Sequence, residues 1–246
     1  MKALLLGAGY GTRLYPLTRD RPKPLLPVGG RPILDRILEC VHPIQAVDGI
    51  YIVSNSKFAD RYRDWQARYS PKRKVPIQVI DDGTTSNENR LGAIGDIQFV
   101  IDQAKIKDDL LVIAGDNLIE FDLRHFVEFA LERGPAVALK DLKGSSLLSR
   151  YSAVELDEQR RIVSFEEKPP KPKTSLISIG VYFYPKKEIK RIRQYLDEGL
   201  TPDAPGYYVQ WLVKQTDVYG FVMEGPWYDI GDIDSYNAAN ALYERK

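Results

Sequence analysis

The chain has 246 residues, 43% of them hydrophobic, which suits one large α/β domain and excludes the disordered class. Lys and Arg number 35 against 34 Asp and Glu, so a net charge of +1 gives no electrostatic case for a nucleic-acid or membrane partner. The single cysteine, Cys40, rules out an internal disulfide and a thiolate metal site.

The apolar run at 3–6 is shorter than the roughly 7–15 residues of a signal peptide's apolar region. No window approaches the ~20 apolar residues of a membrane span, so a soluble, cytoplasmic protein is expected. Residues 2–7 read as a buried strand that opens into a loop carrying Gly7, Gly9 and Gly11. Thr12 and Arg13 follow, and Lys23 stands between two prolines. Pro32 suits the first position of a helix running towards Val41, which His42-Pro43 ends. Cys40 is expected to pack in that helix, and His42 to sit at its surface end. A strand follows at 49–54. The helix after it, 58–69, carries Phe58, Tyr62, Trp65 and Tyr69 at helical spacing, which is a core-facing stripe. A strand at 75–80, a helix at 91–104 and a strand at 110–114 complete the first half, ending in Gly115-Asp116-Asn117. Strands alternating with helices predict a parallel sheet with right-handed crossovers and a site at the strands' carboxyl ends.

The second half changes character. Strands at 151–156 and 161–165 flank a turn, a hairpin signal. Residues 176–184 form another strand with an aromatic stripe, 189–196 and 207–214 look helical, 218–222 is a strand, and 232–245 closes with a helix. KPPKPK at 168–173 reads as a loop. No Gly/Ser/Pro linker separates the halves, so one domain over 1–246 is expected, with a small inserted mixed-sheet subdomain.

Glycine in the 7–11 loop permits the positive-φ conformations that turn backbone N–H groups onto an anion. Arg13 and Lys23 add a guanidinium fork and a point charge for phosphate. The spacing G-x-G-x-G lacks both the dinucleotide fingerprint, which needs an acid after the second strand, and the G-x-x-x-x-G-K-[ST] phosphate loop. A nucleoside triphosphate or a close relative is the ligand this loop fits.

LGAGYGTRLYPLT followed by RPKPLLPV resembles the signature of the sugar-1-phosphate nucleotidylyltransferases. GDN at 115–117, FEEKP at 165–169, SIGVYFY at 178–184 and WYDIG at 227–231 match further motifs of that family in order. The resemblance implies a Rossmann-like three-layer α/β/α nucleotidyltransferase fold with a mixed, mainly parallel central sheet. Residues 1–117 would form the nucleotide-binding half and 118–246 the sugar-binding half. It implies transfer of a nucleotidyl group from an NTP to a hexose-1-phosphate, with dTTP or UTP and glucose-1-phosphate favoured. The alternatives are cytidylyl or guanylyl transfer to another sugar or alcohol phosphate, and an inactive regulatory relative. Arg13 and Lys23 would be catalytic. Leu6, Gly7, Ala8, Gly9, Gly11, Thr12, Asn89, Leu91 and Gly92 would bind the nucleotide, although Ala93 departs from the family's usual Thr. Tyr151, Ser152, Glu167, Lys168, Gly180 and Tyr182 would hold the sugar, with Ser152 standing where many relatives have Gly. Asp203 and Tyr207 would border that pocket. Asp116 and Asp229 would hold Mg²⁺, for which one or two carboxylates suffice when phosphates and water fill the other positions; a turn or helix cap is the alternative for each aspartate. The partners implied are NTP and sugar-1-phosphate, and a homo-oligomer is compatible with the resemblance. With the chain ending soon after Asp229, neither a C-terminal hexapeptide-repeat domain nor effector-carrying helices are expected.

Overall fold

The computed structural model describes residues 1–69 and 75–244. Contacts divide the chain into two compact units. The first comprises Met1–Leu91, Ile113–Leu123 and Gly225–Lys246; the second comprises Gly92–Val112 and Arg124–Glu224.

In the first unit the strand Lys2–Leu6 pairs in parallel with Gly49–Ser54, which pairs in parallel with Ile77–Asp81. Residues 113–114, the end of the strand Leu110–Ala114, belong to this unit and stand next to Lys2–Leu6 on its other edge. These strands are near-continuous apolar runs, as a sheet covered on both faces requires. Ala3, Leu4 and Leu5 are at most 1% exposed, and each such leucine contributes about 1.5–3 kcal/mol through burial. The covering helices Ile33–Val41 and Ala59–Arg68 bury Ile37, Leu38, Tyr62 and Trp65. The C-terminal helix Ile233–Tyr243 opens on a capping box between Asp232 and Ser235. It ties down the 27–30 turn: Asn240 Oδ1 accepts from Gly29 N at 2.8 Å, and Tyr236 OH donates to Pro27 O at 2.7 Å. The helix expected over 232–245 is found at Ile233–Tyr243, and residue 245 lies outside the described residues.

In the second unit Leu176–Tyr184 runs antiparallel to both Ala136–Asp141 and the hairpin strand Ala153–Leu156. The hairpin's other strand is Ile162–Glu166, and Tyr219–Val222 joins Ala136–Asp141 in parallel. A shift of register between Ser178 and Tyr182 surrounds Gly180, whose φ is +72. This is the bulge position that tolerates positive φ. Helices Gly92–Gln103, Lys190–Asp197 and Pro205–Leu212 pack here around Tyr184, Tyr195, Tyr208 and Trp211, whose rings meet edge-on or stacked at 5.4–5.8 Å.

Several expectations change. Pro32 precedes its helix in an extended conformation, and the helix starts at Ile33. His42 is buried at 8% exposure, stacked on Tyr69 with Nε2 3.1 Å from its hydroxyl, instead of lying on the surface. The helix Leu123–Arg133 and the strand Ala136–Asp141 have no counterpart in the sequence reading. Cys40 packs as expected: it donates weakly to Ile119 O at 3.5 Å, and burial pushes its thiol up to about 11. Among the described residues no helix is long and apolar enough to cross a membrane.

Candidate active site

The loops of the first unit leave the carboxyl ends of its strands, where open α/β sheets carry their ligands. The glycine loop is held from behind by three side chains. Tyr62 OH donates to Gly7 O at 3.0 Å, Asn55 Nδ2 donates to Ala8 O at 2.6 Å, and Thr18 Oγ1 donates to Gly11 O at 2.7 Å. Gly7 N also bonds Val53 O at 3.0 Å. A Cβ on Gly7 would come within 2.6 Å of Tyr62 OH and 2.8 Å of Val53 O, so only glycine fits. Gly9 is exposed with nothing within 4 Å of a Cβ, and Gly11 takes φ +61 to enter the short turn Thr12–Leu14. The loop is thus rigid behind and open in front. Burial keeps the Tyr62 hydroxyl protonated by pushing its pKa up. Tyr62→Phe is expected to cost about 1–2 kcal/mol, because a carbonyl in the interior loses its donor. Urea unfolding of the two proteins measures it.

Lys23 begins a second short turn, Lys23–Leu25, and its Nζ lies 2.8 Å from Asp116 Oδ2. Asp116 follows Gly115, whose N–H bonds Leu6 O at 3.0 Å. A Cβ on Gly115 would stand 2.5 Å from Leu6 O and 2.8 Å from Pro24 Cγ. Glycine therefore lets the aspartate's backbone press against both the first strand and the lysine's turn. Asp229 comes from far along the chain by a two-stranded ribbon, in which Trp227–Asp229 runs antiparallel to Asn117–Ile119 with Asp229 opposite Asn117. Ile230 N bonds Asp116 O at 3.2 Å and Trp227 Nε1 donates to Asn117 Oδ1 at 2.8 Å, fixing the register.

The four charges share one electrostatic neighbourhood. Desolvation pushes the Asp116 carboxyl up, but the Lys23 charge and hydrogen bond, a backbone N–H and the Arg13 guanidinium hold it below its ordinary value. Desolvation and then the Asp116 charge push Asp229 up to about 6, against the pull of Lys23 and Arg13. Asp116 is thus held below and Asp229 above the ordinary carboxylate value. Among the described residues there is no group of three or more His, Cys, Asp or Glu that could hold a metal, so a cation held by this pair would complete its shell with oxygens of water or phosphate.

The second unit gathers most of the sugar candidates. Glu167 has a side chain 4% exposed; it accepts a short hydrogen bond from Ser152 Oγ on Oε2 and lies 3.5 Å from Lys168 Nζ on Oε1. Its N–H donates to Gln210 Oε1 at 3.2 Å. Ser152 O accepts from Ser178 N at 3.0 Å, so the hairpin, the strand with Gly180 and the carboxylate form one framework. Lys168 takes φ +46, an uncommon conformation for a side-chain residue. Tyr182 is buried beside Ser178, its hydroxyl 3.4 Å from Ser178 Oγ. Asn89 lies in the first unit with its amide engaged: Oδ1 accepts from Thr85 N and Ser86 N, and Nδ2 donates to Thr85 Oγ1. These bonds tie it into its own loop. The residues the sequence reading passed over are Asn55, Thr18, Gly206 and Gln210. For Asn55 the signal was a polar residue directly after a buried strand; for Gly206 it was a proline-glycine helix start.

A cavity of about 590 Å³ also lies in the first unit, lined by Leu17, Arg21, Arg61 and Trp65 among others. None of the candidate residues lines it.

A family model described as nucleotidyl transferase matches residues 2–246. The chain belongs to that family. It is 34% identical over 239 residues to the bifunctional protein GlmU of Methanocaldococcus jannaschii, covering 94% of this chain and 51% of that one. It is 28% identical over 248 residues to a UTP--glucose-1-phosphate uridylyltransferase of Synechocystis sp., covering 96% and 61%. A crystal structure of a Bacillus anthracis protein described as a glucose-1-phosphate thymidylyltransferase, in complex with sucrose, matches with TM-score 0.77 at 26% identity, over 100% of this chain and 96% of the other. The chain thus sits in the family of the sugar-1-phosphate nucleotidylyltransferases, and its mixed, mainly parallel sheet with flanking helices is their α/β fold. It spans about half the length of the GlmU relative it matches.

Proposed function

We propose that the chain transfers a nucleotidyl group from dTTP or UTP to glucose-1-phosphate, releasing pyrophosphate, and that 1–246 works as one nucleotidyltransferase domain. The observation that carries this reading is the Lys23–Asp116 ion pair with Asp229 brought to its side by the 117–119/227–229 ribbon. A phosphate monoester is already an anionic nucleophile near neutral pH, so the reaction needs positioning and charge neutralisation more than a base.

An oxygen of the sugar-1-phosphate attacks the α-phosphorus, and the bond to the bridging oxygen of the β-phosphate breaks as pyrophosphate departs. The 7–13 loop would present backbone N–H groups to the triphosphate, with Leu6, Gly7, Ala8, Gly9, Gly11 and Thr12 at its walls. Arg13 would neutralise the leaving pyrophosphate, and Lys23 the charge shifting between the attacking and leaving oxygens. Asp116 and Asp229 would hold Mg²⁺, which supplies further neutralisation of phosphate charge when bound. In the second unit Glu167 would accept from two sugar hydroxyls, with Ser152, Lys168 and Gly180 around it, and Leu91 and Gly92 would meet the base. The names carried by the uridylyltransferase and thymidylyltransferase relatives support the choice of uracil or thymine and of glucose.

A pyrophosphate-release panel tests this directly, crossing dTTP, UTP, CTP and GTP with glucose-1-phosphate, mannose-1-phosphate and N-acetylglucosamine-1-phosphate. The highest kcat/KM is expected for dTTP or UTP with glucose-1-phosphate. Preference for CTP or GTP with another acceptor replaces the substrate pair, and no release with any pair rejects the activity.

A further inference from the structure

Two glycines of the second unit mark the close contacts of one short segment, 201–210. Gly92 takes φ +78 at the start of its helix, and a Cβ there would stand 2.6 Å from Pro202 O and 3.1 Å from Asp203 Cα. The first N–H groups of a helix have no partner within it and must find one outside. Here Ile94 N donates to Pro202 O at 2.9 Å and Ala93 N to Asp203 O at 3.3 Å. The segment then turns into the helix Pro205–Leu212. A Cβ on Gly206 would collide with Glu167 Oε2 and stand 2.8 Å from Ser152 Oγ. One turn later, on the same helix face, Gln210 accepts the Glu167 N–H at 3.2 Å. At the segment's beginning, Tyr195 OH donates to Thr201 O at 2.7 Å.

Residues 201–210 therefore touch the Gly92 loop at one end and the Glu167 carboxylate at the other. The first contact is with backbone, which has little slack, and the second sets the bare Cα of Gly206 against the Glu167 carboxylate. We propose that 201–210 is a positioning strut that couples the base-contact loop to the sugar-binding carboxylate, so that filling either subsite tightens the other. The assignment of those subsites rests on the function proposed above; the mechanical link does not. If a base settling against Gly92 fixes the 202–203 carbonyls, Gly206 and Gln210 are fixed with them, and Glu167 is ordered before the sugar arrives. Linkage makes the effect reciprocal.

The test measures affinity for an α,β-methylene analogue of the preferred NTP with and without saturating sugar-1-phosphate. In the native sequence the sugar phosphate is expected to tighten the analogue about 5-fold or more. In Gln210→Ala that factor should fall to about 1, with a raised KM for sugar-1-phosphate and kcat largely kept, a split that general loosening of the fold would not produce. Alanine is a good helix former at this position, and Gly206→Ala is the second variant, expected to raise the sugar KM further. Amide hydrogen exchange gives a readout free of substrates: Ala93 and Ile94 should exchange faster in Gln210→Ala. Retained coupling in Gln210→Ala, a factor of 1 in the native chain, or unchanged exchange at Ala93 and Ile94 would each overturn the strut. Failure of every substrate pair in the panel above would reject the proposed activity alone, and the exchange experiment would still decide the strut.

Discussion

Lys23→Ala is expected to lose about 10²–10³-fold in kcat while the chain still folds, the range seen when one preorganised donor is removed from a developing anion. Lys23 lies on a short turn whose backbone is held by its own bonds, Leu25 N to Pro22 O and Leu26 N to Lys23 O. Nothing in that turn depends on the ammonium, and Pro24 and Leu25 keep their burial. The loss would therefore fall on charge. Without the ammonium, Asp116 loses the largest influence lowering its pKa, and Asp229 loses the stronger of its two counter-charges. Lys23→Arg should recover little, because a planar fork does not substitute for a compact charge in a narrow contact. Pyrophosphate release gives the rate and a circular-dichroism melt the fold; near-normal release in Lys23→Ala would reject the assigned role.

Asp229→Asn should move activity and stability in opposite directions. Its carboxyl is raised to about 6 by burial and by Asp116. A raised carboxyl means that the native state binds the proton more tightly than the unfolded chain. Between the ordinary carboxylate value and about 6 the native state therefore holds more protons, so this group's contribution to stability falls as pH rises through that window. At pH 7 without metal, Asp229 is an ionised group beside a like charge. The asparagine removes that repulsion, so Asp229→Asn is expected to melt higher than the native chain at pH 7 in EDTA. Adding Mg²⁺ should raise the native melting temperature and not the variant's, while the variant loses at least about 10²-fold in turnover. In the native chain apparent Mg²⁺ affinity should weaken as pH falls below about 6, because the ligand must shed its proton to bind. A variant that melts no higher in EDTA, or that keeps its Mg²⁺ response, would show that the two carboxylates do not share a cation.

What the sequence disclosed follows from the range of the forces involved. The strands 49–54 and 110–114 and the helix around Tyr62 were legible because burial writes a local period or an unbroken apolar run. The glycine loop was legible because positive φ and close backbone approach leave a residue-type signature. The helix Leu123–Arg133 was missed because its apolar positions are diluted by Arg124, Glu128 and Glu132, and the bracketing turn signals are weak. His42 was misplaced because its burial comes from Tyr69, a partner 27 positions away that no local pattern reveals. The role of Gln210 was likewise invisible, since it acts through one hydrogen bond to the backbone of Glu167, 43 positions away.

The ribbon that sets Asp229 opposite Asn117 also fixes when the pair of carboxylates can exist. A nascent chain carries Lys23 and Asp116 early and must extend through the whole second unit before Trp227–Asp229 emerges, an interval of several seconds at ribosomal rates. Until then Lys23 and Asp116 stand beside Arg13 without the second carboxylate, which arrives only when three residues of one strand meet three of the other.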